Sequence, residues 1–304
     1  MIPSGRRKGA WYEVRVPPSW AAEGLGKVLA RLPIPPKVCS GLIRRGGVRL
    51  QGQTLHLRLF PPEEPGVDAD FTELNILYED DFSLVVHKPA GIEAHPSVAG
   101  QRGTLAHAVA AYYACTDQKC RVRPIHRLDK ETSGPVLFAK NEFAHAVFDR
   151  AMREKRIGRE YVAIVEGVVK DDEGTIDLPI GQHRHHPTKR RVSPTGEPAV
   201  THYRVVDRFE DHTLLRLKLE TGRTHQIRVH LSSIGHPIAG DGLYGGSRRL
   251  IRRQALHGEK LIWFHPWTQT RLQVRAPLPD DMRKLLETLV SRRESGRCTD
   301  GSLE

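Results

Sequence analysis

Leu215, Leu217 and Leu219 alternate with polar neighbours in TLLRLKLETG, the period-two pattern of a strand with one buried face. REYVAIVEG and AVTHYRVVDRF are further strands, and LNILYEDDFSLVVHKPAG forms two around the turn Glu79-Asp80-Asp81. PVLFAK, LIWF and RLQVRA are short strands. Elsewhere the spacing is helical. Phe143, Val147 and Ala151 share one face of NEFAHAVFDRAMREKR. TLAHAVAAYYAC is a helix with Thr104 near its cap, THQIRVHLSSIG one that starts at Thr224, and PDDMRKLLETLV a last amphipathic helix. These elements follow no regular βα alternation and no repeat of fixed period. They predict an α+β domain with a mixed, largely antiparallel sheet and flanking helices.

Before this domain lies a smaller unit. GLGKVLARL is a short helix; IPPKVCSGLIRRGGVRLQGQ is a second, ending at Gly46 and Gly47, then a strand. PPEEPGVDAD, rich in proline and acid and without apolar periodicity, is a linker. The division is 1–62 for the small unit, 63–71 for the linker, 72–290 for the main domain and 291–304 for a polar, loose tail.

Composition narrows the classes. With 38% hydrophobic and 27% charged residues, the 304-residue chain suits a globular protein. No window reaches the roughly 20 apolar residues of a membrane span. MIPSGRRKGAWYEV has no apolar core after its basic residues, so no secretory signal is expected, and a cytoplasmic monomer is the default. Four scattered cysteines suggest neither disulfides nor zinc. The net charge of +11, from 47 Lys+Arg against 36 Asp+Glu, favours a polyanion, RNA or DNA above all.

HRLDKETSG, residues 126–134, crowds His126, Arg127, Asp129, Lys130 and Glu131 ahead of the small residues Thr132, Ser133 and Gly134. Alone it could be a solvated turn. RTHQIRVH, however, puts His225 and Arg228 at i and i+3, on one helix face; TGR and GHPIAGDGLYG around it are glycine-punctuated, as loops near a site often are; Tyr161 stands mid-strand after Arg159. HRLDKETSG resembles the HRLDxxTSG signature of the RluA-type pseudouridine synthases. ILYEDDFSLVVHKPAGIEAHP, REYVAIVEG, LETGRTHQIRVHLSSIGHPIAGDGLYG and LHGEKLIWFHP continue the similarity in the family's order over roughly residues 72–280.

The resemblance implies isomerisation of uridine in ribosomal (large-subunit) or transfer RNA, without cofactor or metal, in a sheet split by a central basic cleft. It makes Asp129, Tyr161 and Arg228 the catalytic residues, and His126, Arg127, Thr132 and His225 contacts to the substrate. Where the family usually has lysine, this chain has Arg159, which keeps the charge. LIRRGGVRLQG is similar to the alpha-L RNA-binding module, a small α/β unit, with Arg44 and Arg45 as RNA contacts.

These residue types suit the reaction. The glycosidic C–N bond breaks, uracil turns, and a C–C bond forms, with no net electron transfer. A carboxylate serves either as nucleophile or by taking a ribose proton; the sequence leaves both open. Either needs an ionised acid in a cleft, which a guanidinium favours, here through an expected planar two-point contact from Arg228. Tyr161 can stack on uracil, while a phenol near its usual pKa of about 10 is a poor base. A uridine leaving its stack costs a few kcal/mol, which phosphate contacts offset. HRHHPTKRRV offers Lys189, Arg190 and Arg191 for them, on an expected loop over the cleft. His183, His185 and His186 lack partners at zinc-ligand spacing. Two other readings are an RNA-binding assembly factor without catalysis, and a glycoside hydrolase, for which Glu131 is the only sequence-near second carboxylate.

Overall fold

The computed structural model describes residues 2–299. In the N-terminal unit, strands β1 (Gly5–Lys8), β2 (Trp11–Arg15), β3 (Val48–Gln51) and β4 (Thr54–Leu57) form an antiparallel sheet in the order β1-β2-β4-β3. Helices α1 (Pro18–Ala22), α2 (Leu25–Ala30) and α3 (Pro36–Arg44) pack on it, α1 through the partly buried Trp20 and Ala21, α2 through Val28 and α3 through Val38 and Leu42. This core does not close on itself. It runs into Phe82, Phe143 and Trp267 of the main domain, with the ring of Tyr12 5.3 Å from Phe82 and 4.9 Å from Trp267. The connecting segment 61–70 has no regular structure but is tied down: Glu63 N–H donates to Lys119 O and Val122 N–H to Pro65 O.

The main domain holds two sheets and a hairpin. β5 (Asn75–Glu79), β6 (Ser83–Lys88) and β7 (Gly134–Ala139) form the first sheet. The second runs β15-β14-β8-β13-β12-β9, from β8 (Gly158–Glu166), β9 (Glu173–Asp177), β12 (Val200–Arg208), β13 (His212–Leu219), β14 (Leu256–Phe264) and β15 (Arg271–Arg275). The hairpin pairs β10 (Ile180–Gln182) with β11 (Arg190–Val192). Helices α4 (Leu105–Cys115), α5 (Glu142–Arg153), α6 (Gln226–Ser233) and α7 (Asp280–Thr299) flank them, giving the expected α+β class. β8, at the centre, buries Tyr161 to Val165 without a break, as a strand covered on both faces must.

The two sheets meet at the end of the HRLDKETSG segment. Ser133 bridges His257 in parallel, and Gly258 N–H donates to Ser133 O at 2.7 Å. Gly134 has φ +136°, and a Cβ there would lie 2.7 Å from Gly258 Cα, so only glycine lets the backbones approach. The small residues of the motif are thus a seam between β7 and β14.

Three expectations need correction. α6 begins at Gln226, not Thr224: Gln226 Oε1 accepts from Thr221 Oγ1 and Arg223 N–H and organises the turn. His225 precedes the helix with φ +59°, so it does not share a helical face with Arg228. Arg190 and Arg191 lie on strand β11 rather than a loop, in register with Gln182 and Gly181; Lys189 ends the turn before it. Finally, α7 continues through 291–299, where the sequence predicts a loose tail: no proline interrupts it, and Arg292, Arg293 and Glu294 favour helix; residues 300–304 lie outside the described residues.

Candidate active site

Asp129 follows the buried Leu128 on the segment leading to β7. Its carboxylate is 27% exposed and borders an open cavity. Arg127, Thr132, Arg159, Tyr161, His225 and Arg228 line the same cavity. A second opening at Asp129 shares Arg127, His225 and Arg228 and adds Lys130, Thr188 and Arg190. Sequence-distant residues from the motif segment, β8, α6 and the hairpin therefore converge on one acid.

Arg228 is the buried cation at this point. Its Nη1 donates to Asp129 Oδ2 at 3.2 Å. The planar two-point contact goes elsewhere: Nε and Nη2 donate to Asp241 Oδ2 and Oδ1 at 2.7 and 2.9 Å, and the Asp241 side chain is 1% exposed. The sequence reading gave that fork to Asp129. A guanidinium has donors on two edges, so Asp241 takes one edge and leaves the outer nitrogen for the acid at the cavity. Burial works against charge on Arg228, but Asp241 first and Asp129 next outweigh it and hold its pKa above the ordinary value. Asp241 lies in the GHPIAGDGLYG loop; its only mark in the sequence is its place between Gly240 and Gly242. Gly240, at φ +81°, passes so close to Arg253 that a Cβ would overlap its carbonyl oxygen.

Two more buried cations hold the motif backbone. Lys88 Nζ, at the end of β6, donates to the carbonyls of Pro89, Ile92 and Lys130 at 2.8–2.9 Å. Burial pushes its pKa down to about 7, against the opposing pull of Asp129 and Glu131. Arg253 Nη1 donates to Glu131 O at 3.0 Å, while its Nε and Nη2 fork onto Asp281 at the start of α7. Thr132 accepts from Gln254 Nε2 at 3.0 Å, and its N–H donates to Asp129 O. Neither Lys88 nor Arg253 was singled out from sequence. The one signal is a lysine closing the apolar run SLVVHK.

Tyr161 is 5% exposed, and burial pushes its phenol up, with Arg159 pulling the other way. Arg127 donates to Thr224 Oγ1 at 2.9 Å across the cavity mouth. His126, read from sequence as a substrate contact, is turned away from both openings: its Nε2 accepts from Leu137 N–H at 3.3 Å, and burial drives its pKa to about 3. It is a neutral core imidazole that docks the motif on β7. His225 Nδ1 sits 2.9 Å from Tyr244 Oη. Arg44 and Arg45 lie away from the cavity, Arg45 paired with Glu142 at 3.0 Å. The hairpin imidazoles serve their own turn, His183 Nδ1 accepting from His185 N–H and His186 Nδ1 from Lys189 N–H. Among the described residues, no group of three His, Cys, Asp or Glu side chains is placed to hold a metal ion.

Comparison with known proteins gives this arrangement its class. Residues 82–233 match the family described as RNA pseudouridylate synthase. The chain is 47% identical over 243 residues to YhcT of Bacillus subtilis, an uncharacterized RNA pseudouridine synthase, covering 79% of this chain and 80% of that one. It is 44% identical over 241 residues to ribosomal large subunit pseudouridine synthase D of Pseudomonas aeruginosa, 75% of each. The solved structure of human RNA pseudouridylate synthase domain containing 4 superposes with a TM-score of 0.59 at 26% identity, over 71% of this chain and 93% of that one. Fold and sequence together define an RNA-modifying isomerase. The chain belongs to the RNA pseudouridylate synthase family, and within it to the RluA type.

Proposed function

We propose that the chain converts a uridine of large-subunit ribosomal RNA to pseudouridine, with Asp129 as the reacting carboxylate. The carrying observation is the Asp129–Arg228–Asp241 array at the cavity wall. Ribosomal RNA is favoured over transfer RNA because relatives at 38–44% identity bear the large-subunit name. A uridine swung out of its helix enters beside Asp129, whose free oxygen addresses the ribose. Arg228 aims the acid through Nη1 and sets a positive charge beside it, and that charge is kept in place by the buried Asp241. Tyr161 supplies a face for the uracil ring. Because burial raises its phenol, any proton removal by Tyr161 depends on Arg159, the group that opposes the rise.

Arg127, Thr132 and His225 are proposed to contact the nucleotide from the cavity wall, and Lys189, Arg190 and Arg191 the phosphates beyond it. The N-terminal unit, with Arg44 exposed at the end of α3, is proposed as a second RNA grip. The test is tritium release from transcripts whose uracil carries the label on the carbon that forms the new bond. Large-subunit ribosomal RNA should release it and transfer RNA should not. Release from transfer RNA alone would overturn the substrate assignment, and release from neither would overturn the reaction.

A further inference from the structure

We propose that Tyr244 is a positioning residue that ties the β10–β11 hairpin to the guanidinium of Arg228, so that seating RNA on the hairpin sets the cation facing Asp129. The proposal rests on Asp129 being the reacting carboxylate. Tyr244 is 6% exposed and follows Asp241 in the same loop, its N–H donating to Asp241 O at 3.0 Å. Three elements meet on its side chain. The backbone N–H of Arg190, the first residue of β11, donates to Tyr244 Oη at 2.8 Å. That hydroxyl in turn lies 2.9 Å from His225 Nδ1, in hydrogen-bond contact with an imidazole whose neutral form burial favours. The ring faces two cations, with Arg228 Cζ 4.9 Å and Lys189 Nζ 5.4 Å from its centroid.

The consequence is mechanical. Arg228 is fixed on one edge by Asp241 and on one face by Tyr244, and the tyrosine is itself fixed by the hairpin backbone. Arg190 lines the outer opening together with Asp129 and Arg228. A phosphate drawing Lys189 or Arg190 toward it moves the strand that holds Oη, and with it the ring against Arg228. His225 keeps its left-handed backbone beside this hydroxyl, a strained state that surrounding contacts must maintain.

Two variants separate this role from simple packing. Tyr244→Phe keeps the ring and removes the hydroxyl, leaving the Arg190 N–H without a partner. Single-turnover tritium release at saturating RNA should fall about tenfold, with RNA affinity changed less than about twofold. Arg190→Pro removes the same donor while leaving the tyrosine intact, at a strand start where proline is tolerated. It should reproduce the tenfold slowing and be several-fold slower at saturating RNA than Arg190→Ala, which loses only the phosphate-binding side chain and keeps the N–H on Tyr244. Combining Tyr244→Phe with Arg190→Pro should slow the reaction no more than either alone. Multiplying effects, or equal saturated rates for Arg190→Pro and Arg190→Ala, would overturn the coupling. Loss of activity in Asp129→Asn is independent of these outcomes, so failure of the coupling is distinguishable from failure of the site.

Discussion

Asp129 owes its setting to Arg228 and to residues that line neither opening. The outer Nη1 of Arg228 faces it, the inner edge of the same guanidinium is clamped by Asp241, and Lys88 and Arg253 grip the carbonyls of Lys130 and Glu131. Breaking a buried ion pair by removing one partner leaves a charge uncompensated, at a cost of about 3–5 kcal/mol. Asp241→Asn should therefore lower stability by about 3 kcal/mol in urea unfolding and slow tritium release, because Arg228 loses its fixed edge. A variant as stable as the wild type would show that Asp241 does not anchor the cation. Sequence made Asp129, Tyr161 and Arg228 legible, since each stands in a distinctive segment. It hid Asp241, because a lone acid between glycines looks like any loop residue. It misplaced His126, because a histidine beside an arginine reads as a site residue while its burial is set by β7.

At the scale of elements, strands covered on both sides or on one were visible: β8 from its apolar run, β13 from its alternation, α5 from its face of Phe143, Val147 and Ala151. The strands that escaped notice are β2 and β4, whose buried Tyr12, Val14, Leu55 and Leu57 alternate over only four or five residues, and β1, β9, β10 and β11, which are short and bury at most one side chain each. The seam between the sheets gives two predictions. Gly134→Ala should destabilise the protein by about 3 kcal/mol or more, through both its φ and the collision with Gly258. Acid should also loosen this region. Burial lowers His126 to about 3 and His257 to about 4, both from 6.5. Below that ordinary value the unfolded chain takes up protons that the native protein refuses. Stability is therefore complete above about pH 6.5 and falls as pH drops, each histidine contributing up to about 1.4 kcal/mol per pH unit. Urea midpoints at pH 7 and pH 5 read this directly, and equal midpoints would show that these imidazoles are not held neutral.

In the whole molecule, the small N-terminal unit and the main domain share one apolar core through Tyr12, Phe82, Phe143 and Trp267, and Trp267 Nε1 donates to Pro3 O at 2.9 Å. The linker composition suggested a tether; the aromatic cluster makes a fixed joint. Calorimetry should accordingly give a single unfolding transition, and Tyr12→Ala should cost about 3–5 kcal/mol, the range for deleting a buried aromatic. Two separate transitions would mean that the units are independent. Changing Lys189, Arg190 and Arg191 together to Ala should flatten the salt dependence of RNA binding, by a slope of about 0.7–0.9 for each phosphate no longer neutralised. The central claim, that the Asp129 carboxylate carries the isomerisation, is tested most directly by Asp129→Asn, which keeps size and one acceptor oxygen and removes the acid. Tritium release from large-subunit ribosomal RNA should vanish while RNA affinity stays close to that of the wild type; release at the wild-type rate would contradict the assignment.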